Sequence, residues 1–232
     1  MHATKNTRHN KLTGGRRITF IGILFLLPAL VAIFFSTLFP FVFNVALSFV
    51  KWDGFRKIKW VFLDNYKEIF KISSHFPDSM VHTVYLAILT TVLTVVNGLI
   101  LALIIYKLGK KEGLFARLII FMPSMMSFAV IALLFKFILN DQTGPLNNFL
   151  RAVGLGKFAL VWLSERHLVI PIMAIVSAWR GSGSIMILFY AALQMIPSSL
   201  LESSKLDGAT YMTQIRYILV PLISPIIKLQ TV

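Results

Sequence analysis

Ionisable side chains are scarce in the apolar parts of this 232-residue chain, and Lys136 and Arg180 fall inside its long apolar runs. Lys136 stands a few residues from the end of its run, so its aliphatic stem can carry the ammonium to an interface. Arg180 stands mid-run, where it reaches neither surface and must face a bundle interior or a wet cavity. Its surroundings, Ser177-Ala178-Trp179-Arg180-Gly181-Ser182-Gly183-Ser184, are small and polar, which lets helices approach and hydrogen-bond. Two roles are open to Arg180. It pairs with a carbonyl or a partner subunit and holds helices together, or it lines a pathway with Trp179 and Ser182.

Catalysis has little to work with. His82 and His167 sit at the edges of apolar runs, far apart in sequence. No G-x-x-x-x-G-K phosphate loop occurs, and no paired carboxylates or Ser–His couple suggest hydrolysis. With zero cysteines there is neither a disulfide scaffold nor a thiolate metal site. The expectation is a protein that is not an enzyme and carries no cofactor of its own.

A polar island, 198–216, reads SSLLESSKLDGATYMTQIR between two apolar runs. Ser199 and Glu202 have the S-x-x-E spacing of a capping box. Asp207-Gly208 supplies the turn that ends this short helix, because glycine reaches left-handed angles without a Cβ penalty. Thr210 is placed to cap a second helix through Tyr211, Ile215, Ile218 and Leu219. The expected product is a helix–turn–helix on a membrane face, offering an apolar stripe to a soluble partner.

The elements that hold these residues follow from composition. Hydrophobic residues make up 57% of the chain and charged residues 14%, and the mean hydropathy is +0.78. That is far more apolar than a soluble domain. Five runs approach the roughly 20 residues a helix needs to cross about 30 Å of hydrocarbon: 18–39, 83–105, 118–139, 168–190 and 217–232. The expected fold is therefore all-α, a polytopic bundle of membrane helices. The net charge of +14 is spread over short segments flanking those runs, which fits anionic headgroups rather than nucleic acid.

A basic tail, 1–17, with Lys5, Arg8, Lys11, Arg16 and Arg17, precedes a first run too long for a cleaved signal. It predicts an anchored, cytoplasmic N-terminus and a transmembrane domain over 18–232. Alternation places 106–117 (Lys107, Lys110, Lys111, Arg117) inside, 51–80 and 140–167 outside, and the polar island inside. The cations of the 51–80 segment (Lys51, Arg56, Lys57, Lys59, Lys67 and Lys71) fit the charge rule poorly, and Asp53, Asp64, Glu68 and Asp78 offset them only in part. Pro28, Pro40 and Pro123 read as kinks, and Asn97-Gly98 as a packing notch. The fifth run stops at the end of the chain, so a sixth span is expected to be missing.

The island resembles the EAA loop of binding-protein-dependent ABC importer permeases, whose pattern is E-A-A-x-x-D-G-A and, further on, an apolar residue, Leu and Pro. Glu202-Ser203-Ser204-Lys205-Leu206-Asp207-Gly208-Ala209 takes the first part, with serine for both alanines, and Ile218-Leu219-Val220-Pro221 the second, over 198–221. Leu27-Pro28-Ala29, Phe62-Leu63-Asp64-Asn65-Tyr66, Phe121-Met122-Pro123, Gly144-Pro145-Leu146-Asn147 and Ala192-Leu193-Gln194-Met195-Ile196-Pro197 resemble, in order, motifs of the maltose-uptake type of sugar permease. Phe62–Tyr66 lacks the glycine of the F-x-G-x-x-N-Y stretch, and His82 replaces the Asn of the N-T pair completed by Thr83.

The resemblance implies a permease of about six spans in a bacterial cell membrane. It would pair with a second permease and with two ATPase subunits that bind ATP and Mg. An extracellular binding protein would deliver a carbohydrate, an oligosaccharide or sugar derivative. Glu202, Ser203, Asp207, Gly208, Ala209 and Pro221 would couple to the ATPase. Two alternatives stand beside this: a permease of the same superfamily for amino acids, peptides or polyol phosphates, and a truncated membrane scaffold that transports nothing.

Overall fold

A computed structural model of the chain describes residues 10–55, 57–71 and 75–231. Lys5, Arg8, Arg56 and the final Val232 lie outside them. Long apolar runs become helices because a backbone in hydrocarbon must satisfy its N–H and C=O groups internally. Residues 1–77 and 78–232 form two compact units.

In the first unit, α1 (Asn10–Ile33) passes through a π turn (Phe34–Leu38) into α2 (Phe39–Leu47). The stretch Gly22–Leu47 is long and apolar enough to cross a membrane. The helix begins within the segment expected as a tail, because Lys and Arg are good helix formers and their charge does not stop a helix. The π turn precedes Pro40 by two residues, and the Phe39 N–H reaches back to Phe34 O. Proline donates no N–H and its ring crowds the carbonyl four residues back, so a widened turn accommodates it.

A two-stranded antiparallel ribbon follows, β1 (Val50–Lys51) against β2 (Lys59–Trp60), and then α3 (Asp64–Ile69). Asn65 ties them together, its Nδ2 donating to Ser48 O and Val50 O at 2.9 Å each, while Tyr66 and Ser48 share a hydroxyl contact of 2.6 Å. Phe62 adopts φ +48°. It stands three residues before Asn65, the place of the motif's glycine, and so takes a left-handed conformation that a side chain makes costly.

The second unit is built on α4 (Phe76–Lys107), α5 (Lys110–Met125), α6 (Phe128–Ile138), α7 (Pro145–Ala152), α8 (Arg166–Gln194), α9 (Ser198–Leu206), α10 (Tyr211–Gln214) and, after a π turn (Ile215–Leu219), α11 (Val220–Leu229). Phe76–Lys107, His167–Gln194 and Tyr211–Leu229 each have the length and apolarity of a span. The expected inside loop 106–117 is mostly the first turns of α5. The π turn again sits two residues before a proline, Pro221.

The run 118–139 is not one straight span. It breaks between α5 and α6, which meet at 95°. Pro123 lies in the last turn of α5, Met126 N–H closes that turn on Pro123 O, and Ser127 starts α6 by accepting from Val130 N at 3.3 Å. Composition registers only the apolar length, so the restart at a serine cap is invisible to it.

The core lies where α4, α8 and α11 converge, around Ile105, Met186, Phe189, Leu193, Leu219 and Ile223. Glycines let the helices approach. A Cβ on Gly183 would stand 2.5 Å from Ile120 O and 2.9 Å from Phe121 Cα, and one on Gly98 would stand 2.7 Å from Ile185 Cγ2. Asn147, 1% exposed, organises the loop after α6: its Nδ2 donates to Asp141 O and Leu160 O, and its Oδ1 accepts from Trp162 Nε1 at 2.8 Å.

Candidate functional site

The polar island folds as the expected helix–turn–helix, α9 and α10, at the end of the bundle where α4 and α8 finish. Its first helix is not capped by a box. The N-cap is Pro197, and no side chain caps the helix, so Ser199 and Glu202 do not close reciprocally. Pro197 fits because its ring presets the backbone just ahead of the first turn.

The turn itself is built from backbone. Gly208 adopts φ +83°, its N–H donates to Lys205 O at 3.0 Å, and Ala209 N–H donates to Ser204 O at 2.9 Å. This is a Schellman closure, in which two carbonyls orphaned at the helix end are satisfied through one left-handed residue. A Cβ on Gly208 would meet nothing within 4 Å, so the glycine is required by its angle and not by crowding. Thr210 caps α10 as expected, its Oγ1 accepting from Thr213 N at 3.3 Å.

One face of α9 turns inward and the other outward. Leu201 and Ser204 are half-buried, while Glu202, Ser203, Asp207 and Gly208 are exposed and Ala209 is half-buried. Leu206 is 90% exposed and Met212 70% exposed. Two large apolar side chains are thus exposed on the same helix–turn–helix that exposes Glu202 and Asp207. Pro221 is also exposed, but it lies on α11, beyond the helix–turn–helix.

Gln214, which sequence reasoning did not single out, and Tyr211, which it read only as opening the second helix, fasten this surface to the bundle. Gln214 is 4% exposed, and its Nε2 donates to Leu201 O at 3.1 Å and to Ser204 Oγ at 2.7 Å. Ser204 Oγ in turn donates to Leu201 O at 2.8 Å. Tyr211 donates its hydroxyl to Leu103 O on α4 at 2.6 Å, and Lys107 Nζ stands 5.4 Å from the Tyr211 ring centre. The helix–turn–helix is thus pinned across itself and to α4. A polar residue at the apolar boundary of the island was the available signal for Gln214.

The three residues of the α8 candidate set separate. Trp179 and Ser182 border a cleft of about 630 Å³ between α4, α5 and α8, together with Asn97 and Pro123. Ser182 is 3% exposed and donates to Ala178 O in its own helix. Asn97, expected as part of a packing notch, lines this cleft.

Arg180 turns to the α5–α6 break. Its Nε donates to Met126 O at 3.2 Å, its guanidinium carbon lies 3.9 Å from the Phe128 ring centre, and its own carbonyl accepts from Ser124 Oγ at 2.7 Å. A cation there satisfies a carbonyl at the C-terminal end of α5, where the helix dipole is negative. Arg180 thus pairs with a carbonyl across the α5–α6 break.

Comparison with known proteins bears on the whole assembly. The family described as binding-protein-dependent transport system inner membrane component matches residues 94–229. The chain is 38% identical over 203 residues to the probable ABC transporter permease protein YurN of Bacillus subtilis, covering 87% of this chain and 69% of that protein. It is 28% identical over 204 residues to the galactooligosaccharides transport system permease protein GanP of the same organism, covering 84% of this chain and 49% of that one. Among solved structures, a chain of a bacterial ABC transporter involved in the import of the acidic polysaccharide alginate superposes with a TM-score of 0.80 at 25% identity, covering 95% of this chain and 73% of that one.

Proposed function

The chain belongs to the family of binding-protein-dependent transport system inner membrane components, and from that premise we propose that it is a permease subunit of an ATP-driven importer for a carbohydrate. The observation that carries the coupling part of this reading is the pinned helix–turn–helix, an exposed apolar and acidic surface held rigidly at one end of a multi-pass bundle. Carbohydrate is favoured because relatives are described as carrying galactooligosaccharides and starch degradation products, and the solved relative serves alginate import.

In this reading the N-terminus and the helix–turn–helix face the cytoplasm. A second permease completes the translocation path, and a binding protein delivers the solute from outside. Two ATPase subunits bind ATP and Mg and receive α9 in a groove. Leu206 and Met212 anchor α9 in that groove, and Glu202, Ser203 and Asp207 set its register. Gly208 and Ala209 hold the turn, and Pro221 begins the helix that carries the movement back into the bundle. Closure of the ATPase pair displaces a rigid α9, and the bundle rocks between outward- and inward-facing states. Trp179 and Ser182 line the path, Trp179 offering an aromatic face to a sugar ring, and Arg180 holds the α5–α6 bend beside it. The chain moves its solute without making or breaking a bond.

Gly208→Leu tests the coupling role. Free space surrounds the glycine, so a leucine there clashes only with a docked partner and otherwise strains the turn. Transport is expected to vanish while membrane insertion persists. Gly208→Asn, which tolerates left-handed angles, separates strain from docking. Normal transport by Gly208→Leu would show that this loop does not couple.

A further inference from the structure

A second cleft, about 300 Å³, lies where the end of α4 meets the helix–turn–helix. Its polar lining comes from Tyr106 and Lys107 on α4, Lys205 on α9, and Tyr211 and Gln214 on α10. No carboxylate lines it. Lys205 makes no ion pair among the described residues, and the contact found for Lys107 is the face of the Tyr211 ring. Glu202 and Asp207 belong to the same short helix and its cap, yet neither borders the cleft.

Position narrows the ligand. Lys107 ends one span-length helix, Phe76–Lys107, and Tyr211 opens another, Tyr211–Leu229. The cleft therefore stands at a membrane boundary, with two cations and two phenol rings converging on it. Lysine ammonium groups bind phosphate as point charges, and basic pockets between membrane helices at such a boundary suit phospholipid headgroups. Tyrosine prefers this depth, with its ring in the apolar layer and its hydroxyl at the headgroups.

We propose that this cleft is a binding site for the phosphate of an anionic phospholipid, held between Lys107 and Lys205. The lipid would brace α9 against α4 beside Gln214, which itself lines the cleft. The inference needs only the membrane boundary, so it stands or falls apart from the importer reading.

The test uses the purified chain in its native complex, with bound lipid measured by native mass spectrometry after exposure to mixed phosphatidylglycerol and phosphatidylcholine vesicles. The parent is expected to retain phosphatidylglycerol in preference to phosphatidylcholine. Lys107→Gln and Lys205→Gln should each weaken that retention roughly fivefold, and the pair about 30-fold. Lys111→Gln, outside the cleft, should leave it unchanged. Equal retention by the double variant, or an equal loss in Lys111→Gln, would overturn the site. Displacement of the lipid by millimolar inorganic phosphate would assign the cleft to a free anion and refute the lipid. Loss of a copurifying protein subunit with lipid retention unchanged would show that the lysines dock protein instead, and would refute it as well.

Discussion

Replacing Gln214 with leucine removes two hydrogen bonds from the brace of the helix–turn–helix while keeping its apolar bulk. The donors go to Leu201 O at 3.1 Å and Ser204 Oγ at 2.7 Å. Each neutral bond contributes about 1 kcal/mol net. No carbonyl is orphaned, because Leu201 O keeps the Ser204 hydroxyl at 2.8 Å, so the larger cost of an unsatisfied buried group does not arise. Leucine also regains some burial at a position 4% exposed. The expected loss is then about 1–2 kcal/mol, local to α9, and 1.4 kcal/mol is a tenfold change in the opened population. Hydrogen exchange on the assembled complex reads this directly. Amides of Ser198–Leu206 should exchange roughly tenfold faster, while those of α4 and α8 keep their protection. Ser204→Ala supplies the second edge of a double-mutant cycle, with a coupling of about 1 kcal/mol. Unchanged exchange in α9, or strict additivity of the two substitutions, would refute the brace.

Two further outcomes follow from the same reasoning. Phe62→Gly should stabilise the first unit by about 1 kcal/mol, seen as a raised unfolding midpoint, because φ +48° is costly for phenylalanine and its side chain is 72% exposed. Arg180→Leu should lower the midpoint by the equivalent of about 2 kcal/mol, since it removes a charged donor from Met126 O and the stack on Phe128. Arg180→Lys should recover only part of this, because an ammonium lacks the planar fork. An Arg180→Leu variant as stable as the parent would show that the α5–α6 break needs no cation.

Much of the candidate site was legible beforehand, because its signals are local. A glycine after Asp207 and a threonine before Tyr211 act through their own backbone, so the turn and the second cap appear where sequence places them. The capping box fails for the opposite reason. Ser199 and Glu202 have the right spacing, but Pro197 already occupies the N-cap and sets the entry of the chain. Arg180 shows the same division, since its mid-run position demanded a partner and only the fold supplied Met126 O.

The sequence alone determined that this chain is a bundle of membrane helices with a helix–turn–helix between the runs 168–190 and 217–232, because apolar length, glycine angles and cap residues act over a few neighbours. Tertiary structure decided the rest. It bent 118–139 at Ser127, buried Gln214 against Ser204, joined Tyr211 to a carbonyl 108 residues away, and brought Lys107 and Lys205 to one cleft. These pairings depend on which helix faces meet, and that is set by packing among distant residues whose spacing along the chain carries no trace of it.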